Sequence, residues 1–272
     1  MFFLPLYDDN PTRRPAYVTW LLILACVGVH LWQMGMTDTQ QRLVALQYGM
    51  VPALLFGGQS LPPEYAALPA WLTPLSCTFL HGGLFHLGGN MLFLWIFGNN
   101  VEEAMGRVRY VLFYVLSGYA AALFQAVLDT NSTTPMIGAS GAIAGVLGAY
   151  ALLYPKANVR TLVVVLIFFR LVTIPAAAIL FGWFLMQTIS GMKTMGDSVA
   201  YFAHIGGFIA GVVLVRFMKR ADVPLWQTEV RSRTFEITPI RLPSQRRRGG
   251  SVPDSGRPPR SPWDGGSPWG RR

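Results

Sequence analysis

The sequence predicts an all-α polytopic membrane protein with six transmembrane helices and a long structured first loop. Three observations predict it. The 272 residues are 52% hydrophobic and only 13% charged, too apolar for an ordinary soluble domain. The apolar residues fall in blocks of about membrane-crossing length. The cations around those blocks are one-sided. With the N-terminus in the cytoplasm, Arg13, Arg14, Arg107, Arg109, Lys156, Arg160, Arg170, Arg216, Lys219 and Arg220 lie inside, and only Arg42 and Lys193 lie outside. Cytoplasmic loops carry such an excess, so both termini are expected in the cytoplasm of a cell with a plasma membrane.

Residues 1–14 read as a short N-terminal lead, 15–218 as the membrane domain and 219–272 as a tail. The first span covers about 17–34, behind Arg13-Arg14, with no small-residue cleavage site, so no cleavable signal peptide is expected. Residues 35–83 form a connection rich in Pro and Gly, long enough to mark a structured, functional loop. Trp71 within it reads as an interfacial anchor. The second and third spans cover about 84–101 and 108–128. A polar turn region at 129–137 leads to the fourth span, about 138–154, which Pro155 ends. Residues 161–169 are too few to cross at about 1.5 Å per residue and read as an interfacial or re-entrant piece. The fifth span is expected over about 172–190 and the sixth over about 198–218.

The tail is rich in Arg, Pro, Gly and Ser and reads as disordered. It holds twelve of the 22 Lys and Arg, so the net charge of +9 is mostly tail. Charge placed there points to topology and an anionic lipid surface, not to nucleic acid. Cys26 and Cys77 do not make a disulfide framework or a metal site and read as packing residues.

Span parity bears on chemistry. Spans two, four and six all run from the outer to the inner face. Ser140, in the segment Gly138-Ala139-Ser140-Gly141, lies in the first turn of span four. His204, in Ala203-His204-Ile205-Gly206-Gly207, lies about two turns into span six. Both therefore sit roughly 5–10 Å below the outer surface. A serine hydroxyl is a weak nucleophile that needs a base beside it, and His204 is a base at the right depth. Span two opens with His81-Gly82-Gly83-Leu84-Phe85-His86-Leu87-Gly88-Gly89-Asn90. His86 and Asn90, at i and i+4, share a helix face at the same outer end. Each can donate the hydrogen bond that an oxyanion requires, and so can the Ser140 N–H at its helix start.

Each residue also has a plainer reading. Ser140, Ala144 and Gly148, with Gly141 and Gly145, make the small-residue ridges of close helix packing. His204 could be a hydrogen-bonded structural histidine beside a similar ridge at Gly207 and Gly211. His86 and Asn90 could be interhelical glue. His81 reads as bonding loop backbone, and His30 as a satisfied or interfacial histidine. A metal site from His81, His86 and His204 lacks carboxylate or thiolate ligands.

Taken together, His81-x4-His86-x3-Asn90, the Gly138–Gly141 segment and the His204 segment resemble the rhomboid intramembrane serine proteases. The resemblance covers about 15–218 and leaves out the tail. It implies a six-span rhomboid-like bundle in which Ser140 is the nucleophile and His204 the general base and acid, with no acidic third member. It further implies an oxyanion hole of His86, Asn90 and the Ser140 N–H, supported by Gly138, Gly141 and His81. No cofactor or metal is implied. The partners implied are transmembrane protein substrates and the lipid bilayer, without nucleic acid. The alternative is a catalytically inactive rhomboid-like protein that binds membrane clients. Two departures stand out. Trp71-Leu72-Thr73 has no arginine where family members often carry Trp-Arg. Ala144 stands where some members stack an aromatic on the histidine, which leaves Tyr201 as the candidate buttress.

Overall fold

A computed structural model describes residues 2–165, 168–193 and 200–227. The structure is mostly helical. Helix α1 (Tyr17–Met34) begins at Ala16, whose side chain cannot cap it. Glu102 caps it instead from a distant part of the chain. Its carboxylate accepts the Val18 N–H (3.1 Å), the Thr19 N–H (2.8 Å) and the Thr19 hydroxyl (2.9 Å). A buried carboxylate is tolerable because it satisfies orphan donors at a helix N-terminus, where the dipole favours negative charge.

The long first loop is structured. Helix α2 (Asp38–Tyr48) starts on a reciprocal capping box between Thr37 and Gln40. Helix α3 (Pro52–Leu55) and helix α4 (Thr73–Ser76), flanked by single 3-10 turns at Ala70–Leu72 and Cys77–Phe79, complete it. Helices α5 (Leu84–Met105) and α6 (Arg107–Leu128) meet at Gly106, whose φ of +82° an L side chain rarely adopts. Helix α7 (Ser140–Leu153), helix α8 (Ala176–Lys193) and helix α9 (Tyr201–Met218) follow.

The all-α expectation is corrected by a three-stranded antiparallel sheet. Strand β1 (Phe2–Asp8) lies in the N-terminal lead, and β2 (Asn158–Val165) and β3 (Phe168–Pro175) form a hairpin between α7 and α8. Residues 161–165 and 168–169 are thus strand, not an interfacial or re-entrant piece, and the fifth apolar helix starts at Ala176, not near 172. The physical reason is the run of β-branched residues: Val159, Thr161, Val163 and Val164 in β2, and Val172, Thr173 and Ile174 in β3. They crowd a helix but fit a pleat. Alternate residues Val159, Thr161 and Val163 are buried, the two-residue period of a strand. Pro5 is tolerated because β1 is an edge strand, and the register slips between Pro5 and Tyr7.

Among the described residues, α1, α6 and α9 are long and apolar enough to cross a membrane. Helix α5 has the length, 22 residues, but carries Asn90, Asn99, Asn100, Glu102 and Glu103. Helix α7 and the apolar part of α8 are shorter. Length and apolarity alone therefore identify three spans rather than six. Helix α7 is the core: its residues from Gly141 to Tyr150 are buried without interruption. A helix apolar all round is stable only when neighbours surround it. Helices α5, α6, α8 and α9 do so.

Helices α7 and α9 meet through backbone. A Cβ on Gly207 would strike the Gly141 carbonyl, one on Gly211 the Gly145 carbonyl, and one on Gly148 the Phe208 carbonyl. On the α6 side, a Cβ on Gly145 would lie 2.5 Å from the Ser117 side chain. Residues 220–227 return to the far end of the bundle, where Arg220 N–H donates to Ala104 O (2.9 Å) and Gln227 N–H to Leu153 O (2.9 Å). The rest of the expected tail and the connection carrying 194–199 lie outside the described residues.

Strand β1 is tied to that same end. Asp8 accepts the Tyr150 hydroxyl at 2.6 Å, and Asp9 accepts the Asn158 N–H at 2.7 Å. Burial pushes the Asp8 carboxyl up from 3.8 to about 7; the Tyr150 hydrogen bond opposes the shift and the charge of Asp9 adds to it. Between those values the folded chain keeps a proton that the unfolded chain releases, so stability falls as pH rises. Hydrogen-exchange protection of β1 is therefore expected to be greatest below about pH 4 and to decline toward pH 7. Asp8→Asn flattens that profile. Gly211→Ala is expected to cost about 1–3 kcal/mol in denaturant titrations in mixed micelles, because the obstructing atoms are backbone.

Candidate active site

The N-terminal ends of α5, α7 and α9 converge on one cleft of about 600 Å³, lined by Ser140, His204, His86, Asn90, Gly138 and Gly141 among others. The expected side-by-side placement of Ser140 and His204 is present. Ser140 is the first residue of α7, and its Oγ lies 2.7 Å from His204 Nε2. Helix α9 holds His204 there through the glycine contacts with α7. Its own N-terminus is fastened by the Gln125 side chain of α6, which accepts the Ala203 N–H at 3.2 Å.

Gly138 sits between this pair and His86. Its φ of +124° and the proximity of His86 Nε2, 2.8 Å from where a Cβ would stand, both call for glycine. The Gly138 N–H is anchored on Cys77 O at 2.8 Å. On α5, the Gly82 N–H donates to His86 Nδ1 through a long bond of 3.4 Å. That leaves His86 Nε2 to carry its proton as a donor toward Gly138 and Ser140. Asn90, one turn on, is 8% exposed, and its amide Nδ2 has no hydrogen-bond partner among the described residues. A buried unpaired amide donor is costly, and an acceptor placed beside it would relieve that cost.

His81 is not in this cleft. Its Nδ1 lies 3.2 Å from Phe79 O, its N–H donates to Gln33 Oε1 at 3.1 Å, and its ring stands 5.3 Å from that of His86. It bonds loop backbone and packs on the back of His86. His30 is buried in α1, away from the cleft lining.

Two residues at the site belong to α8. Trp183 has its ring centroid 5.7 Å from that of His204 and takes the buttress position for which Tyr201 was the candidate. Gln187 Oε1 lies 2.6 Å from His204 Nδ1. The signal that could have found Gln187 was available: it is an amide in an otherwise apolar helical run, and polar groups in such runs are functional by default. Among the described residues no carboxylate lines the cleft. Among the described residues, no cluster of His, Cys, Asp and Glu could hold a metal ion. The arrangement is a hydroxyl hydrogen-bonded to an imidazole, with an unsatisfied amide donor in the same apolar enclosure.

The chain is also similar to known proteins. A family model for the rhomboid domain matches residues 69–221, more than half of the chain. The chain is 34% identical over 160 residues to "Rhomboid-like protein 11, chloroplastic" of Arabidopsis thaliana, covering 57% of this chain and 55% of that protein. It is 30% identical over 152 residues to "Rhomboid protein 1, mitochondrial" of Saccharomyces cerevisiae, covering 54% and 42%. It is 29% identical over 145 residues to "Presenilin-associated rhomboid-like protein, mitochondrial" of Bos taurus, covering 53% and 37%. The chain thus spans about half the length of the first of these relatives and less of the other two. The apolar helices, the rhomboid domain and these likenesses identify the chain as a membrane protein of the rhomboid family.

Proposed function

We propose that this protein is an intramembrane serine endopeptidase that cleaves transmembrane segments of other proteins near the outer face. The observation that carries the reading is the 2.7 Å contact between Ser140 Oγ and His204 Nε2 inside an apolar cleft. A protein that only binds clients has no need of that pair. The orphaned Asn90 amide beside it supports a place where negative charge develops.

The chemistry follows from the groups present. An intact helix keeps its carbonyls bonded, so a substrate segment must unwind locally to offer one. Gly, Pro or small residues in the substrate would ease that step. Ser140 Oγ attacks the carbonyl carbon while His204 Nε2 takes the hydroxyl proton. The oxyanion accepts hydrogen bonds from Asn90 Nδ2, His86 Nε2 and the Ser140 N–H, donors already in place before charge develops. His204 then gives its proton to the leaving amine, the C–N bond breaks, and an ester to Ser140 remains. Water, deprotonated by His204, hydrolyses that ester and restores the hydroxyl. Gly138 and Gly141 let backbone and substrate approach. Every step draws on side chains and backbone of this chain.

The same reading takes the chain as six spans in a plasma membrane, with the sheet and both termini cytoplasmic. The one-sided cations support it, as does the position of Ser140 and His204 at the end of the bundle opposite the sheet. The basic tail would then meet the anionic inner surface.

In lipid, with a tagged single-span substrate, Ser140→Ala and His204→Ala are each expected to lower cleavage by several orders of magnitude. Cleavage that survives Ser140→Ala removes the reading. Asn90→Ala is expected to lower kcat by about 10²–10³. In intact cells, a cysteine placed at Arg42 should react with an impermeant maleimide, and one at Arg13 should not. The opposite pattern inverts the topology.

A further inference from the structure

A neutral imidazole can accept the Ser140 proton on Nε2 only if its own hydrogen is on Nδ1. In serine hydrolases with a triad, a buried carboxylate selects that tautomer. Among the described residues no Asp or Glu lines the cleft. Yet His204 Nδ1 is not left to chance. It lies 2.6 Å from Gln187 Oε1, and an amide oxygen only accepts. The amide turned the other way would donate to Nδ1, put the hydrogen on Nε2 and leave Ser140 without a base.

Gln187 is 7% exposed and, with Ala176 and Leu180, one of the buried side chains of α8. Burying an amide costs free energy unless it is hydrogen-bonded, so a residue chosen only for packing would be apolar. The opposite side of α8, with Phe181, Leu185 and Met186, is exposed. Helix α8 therefore meets the bundle through one face. There Phe184 packs on Phe208 of α9, with ring centroids 4.7 Å apart, one turn before Gln187 reaches His204.

We propose that Gln187 is the positioning residue of the Ser140–His204 pair. Its amide oxygen holds the His204 Nδ1–H, selects the tautomer that can take the serine proton, and makes the seating of α8 on α9 a condition of catalysis. The proposal rests on the protease reading. It replaces the charged third member with a neutral acceptor, which orients the ring without burying a further charge in the bundle.

The test compares Gln187→Glu, which keeps an acceptor oxygen, with Gln187→Met, which keeps length and apolar packing but loses it. Cleavage kinetics in lipid and labelling of Ser140 by a fluorophosphonate probe are measured for both, for wild type and for Ser140→Ala. The expected result is that Gln187→Glu stays within about threefold of wild type. Gln187→Met loses about 10- to 100-fold in kcat and in labelling rate, with KM within about twofold. Phe184→Ala lowers kcat in the same way, and combining it with Gln187→Met adds little, because both act through one contact. The reverse order, Met active and Glu inactive, assigns Gln187 to packing and overturns the proposal. Equal activity of all three forms overturns it too. Nitrogen NMR of isotope-labelled histidine in the unmodified protein, assigned by loss of a signal in His204→Ala, needs no variant at Gln187. It is expected to report hydrogen on Nδ1, and hydrogen on Nε2 refutes the proposal. Folded wild type that neither cleaves nor labels defeats the protease reading and the proposal with it. Active wild type with inactive Ser140→Ala leaves the protease reading standing, and the Gln187 variants then decide this point alone.

Discussion

The contact on which the site depends is the one between the backbones of α7 and α9. Gly141 and Gly145 present carbonyls to Gly207 and Gly211 at a separation no side chain could share. In a membrane, lipid tails are as apolar as any side chain, so close packing rather than hydrophobic exclusion must hold helices together. The same contact sets the distance between the first turn of α7 and the early part of α9. A serine at one and a histidine at the other then reach each other without a loop to carry them. Sites built on rigid elements hold their geometry better than sites on loops. Precision at 2.7 Å thus follows from residues that have no side chains at all.

The other end of the bundle has a different chemistry. There the chain uses polar groups to close helix ends that lack their own caps. Glu102 serves α1, and Asn100 Nδ2 donates to Asn10 O at 2.6 Å. Arg107 stacks over Tyr17, 4.5 Å from the ring centre. Side-chain hydrogen bonds fasten that end, while in the cleft at the other end the Asn90 amide donor has no partner among the described residues. An enclosure with a spare donor is poorly stabilised when empty and improved by an acceptor.

The positions of Ser140 and His204 were legible because three short motifs carried glycine, histidine and serine at intervals that helical geometry converts to one depth. His86 and Asn90 were legible from their i, i+4 spacing. What escaped was of two kinds. The strands at 158–165 and 168–175 are short and mostly apolar, and short apolar stretches do not separate strand from buried helix by periodicity. Their β-branched content was the discriminating sign. Gln187 escaped because its meaning lies in a pairing across 17 residues of sequence, and no local pattern ties an amide in α8 to an imidazole in α9. Trp183 escaped as a buttress for the same reason: the aromatic was sought on the helices of the motifs, and a third helix supplies it.

The pairing of β1 with β2 bears on the order of assembly. The first strand made during synthesis has no partner until residues 158–165 exist, after α1, α5, α6 and α7 have been made. Closing so long a span of chain is entropically slow compared with local helix formation. Strand β1 can therefore pair only after the segments of the bundle up to α7 have been made. It joins the hairpin that runs straight into α8, so the strand layer and the helix carrying Gln187 and Trp183 are joined through β3 without a loop.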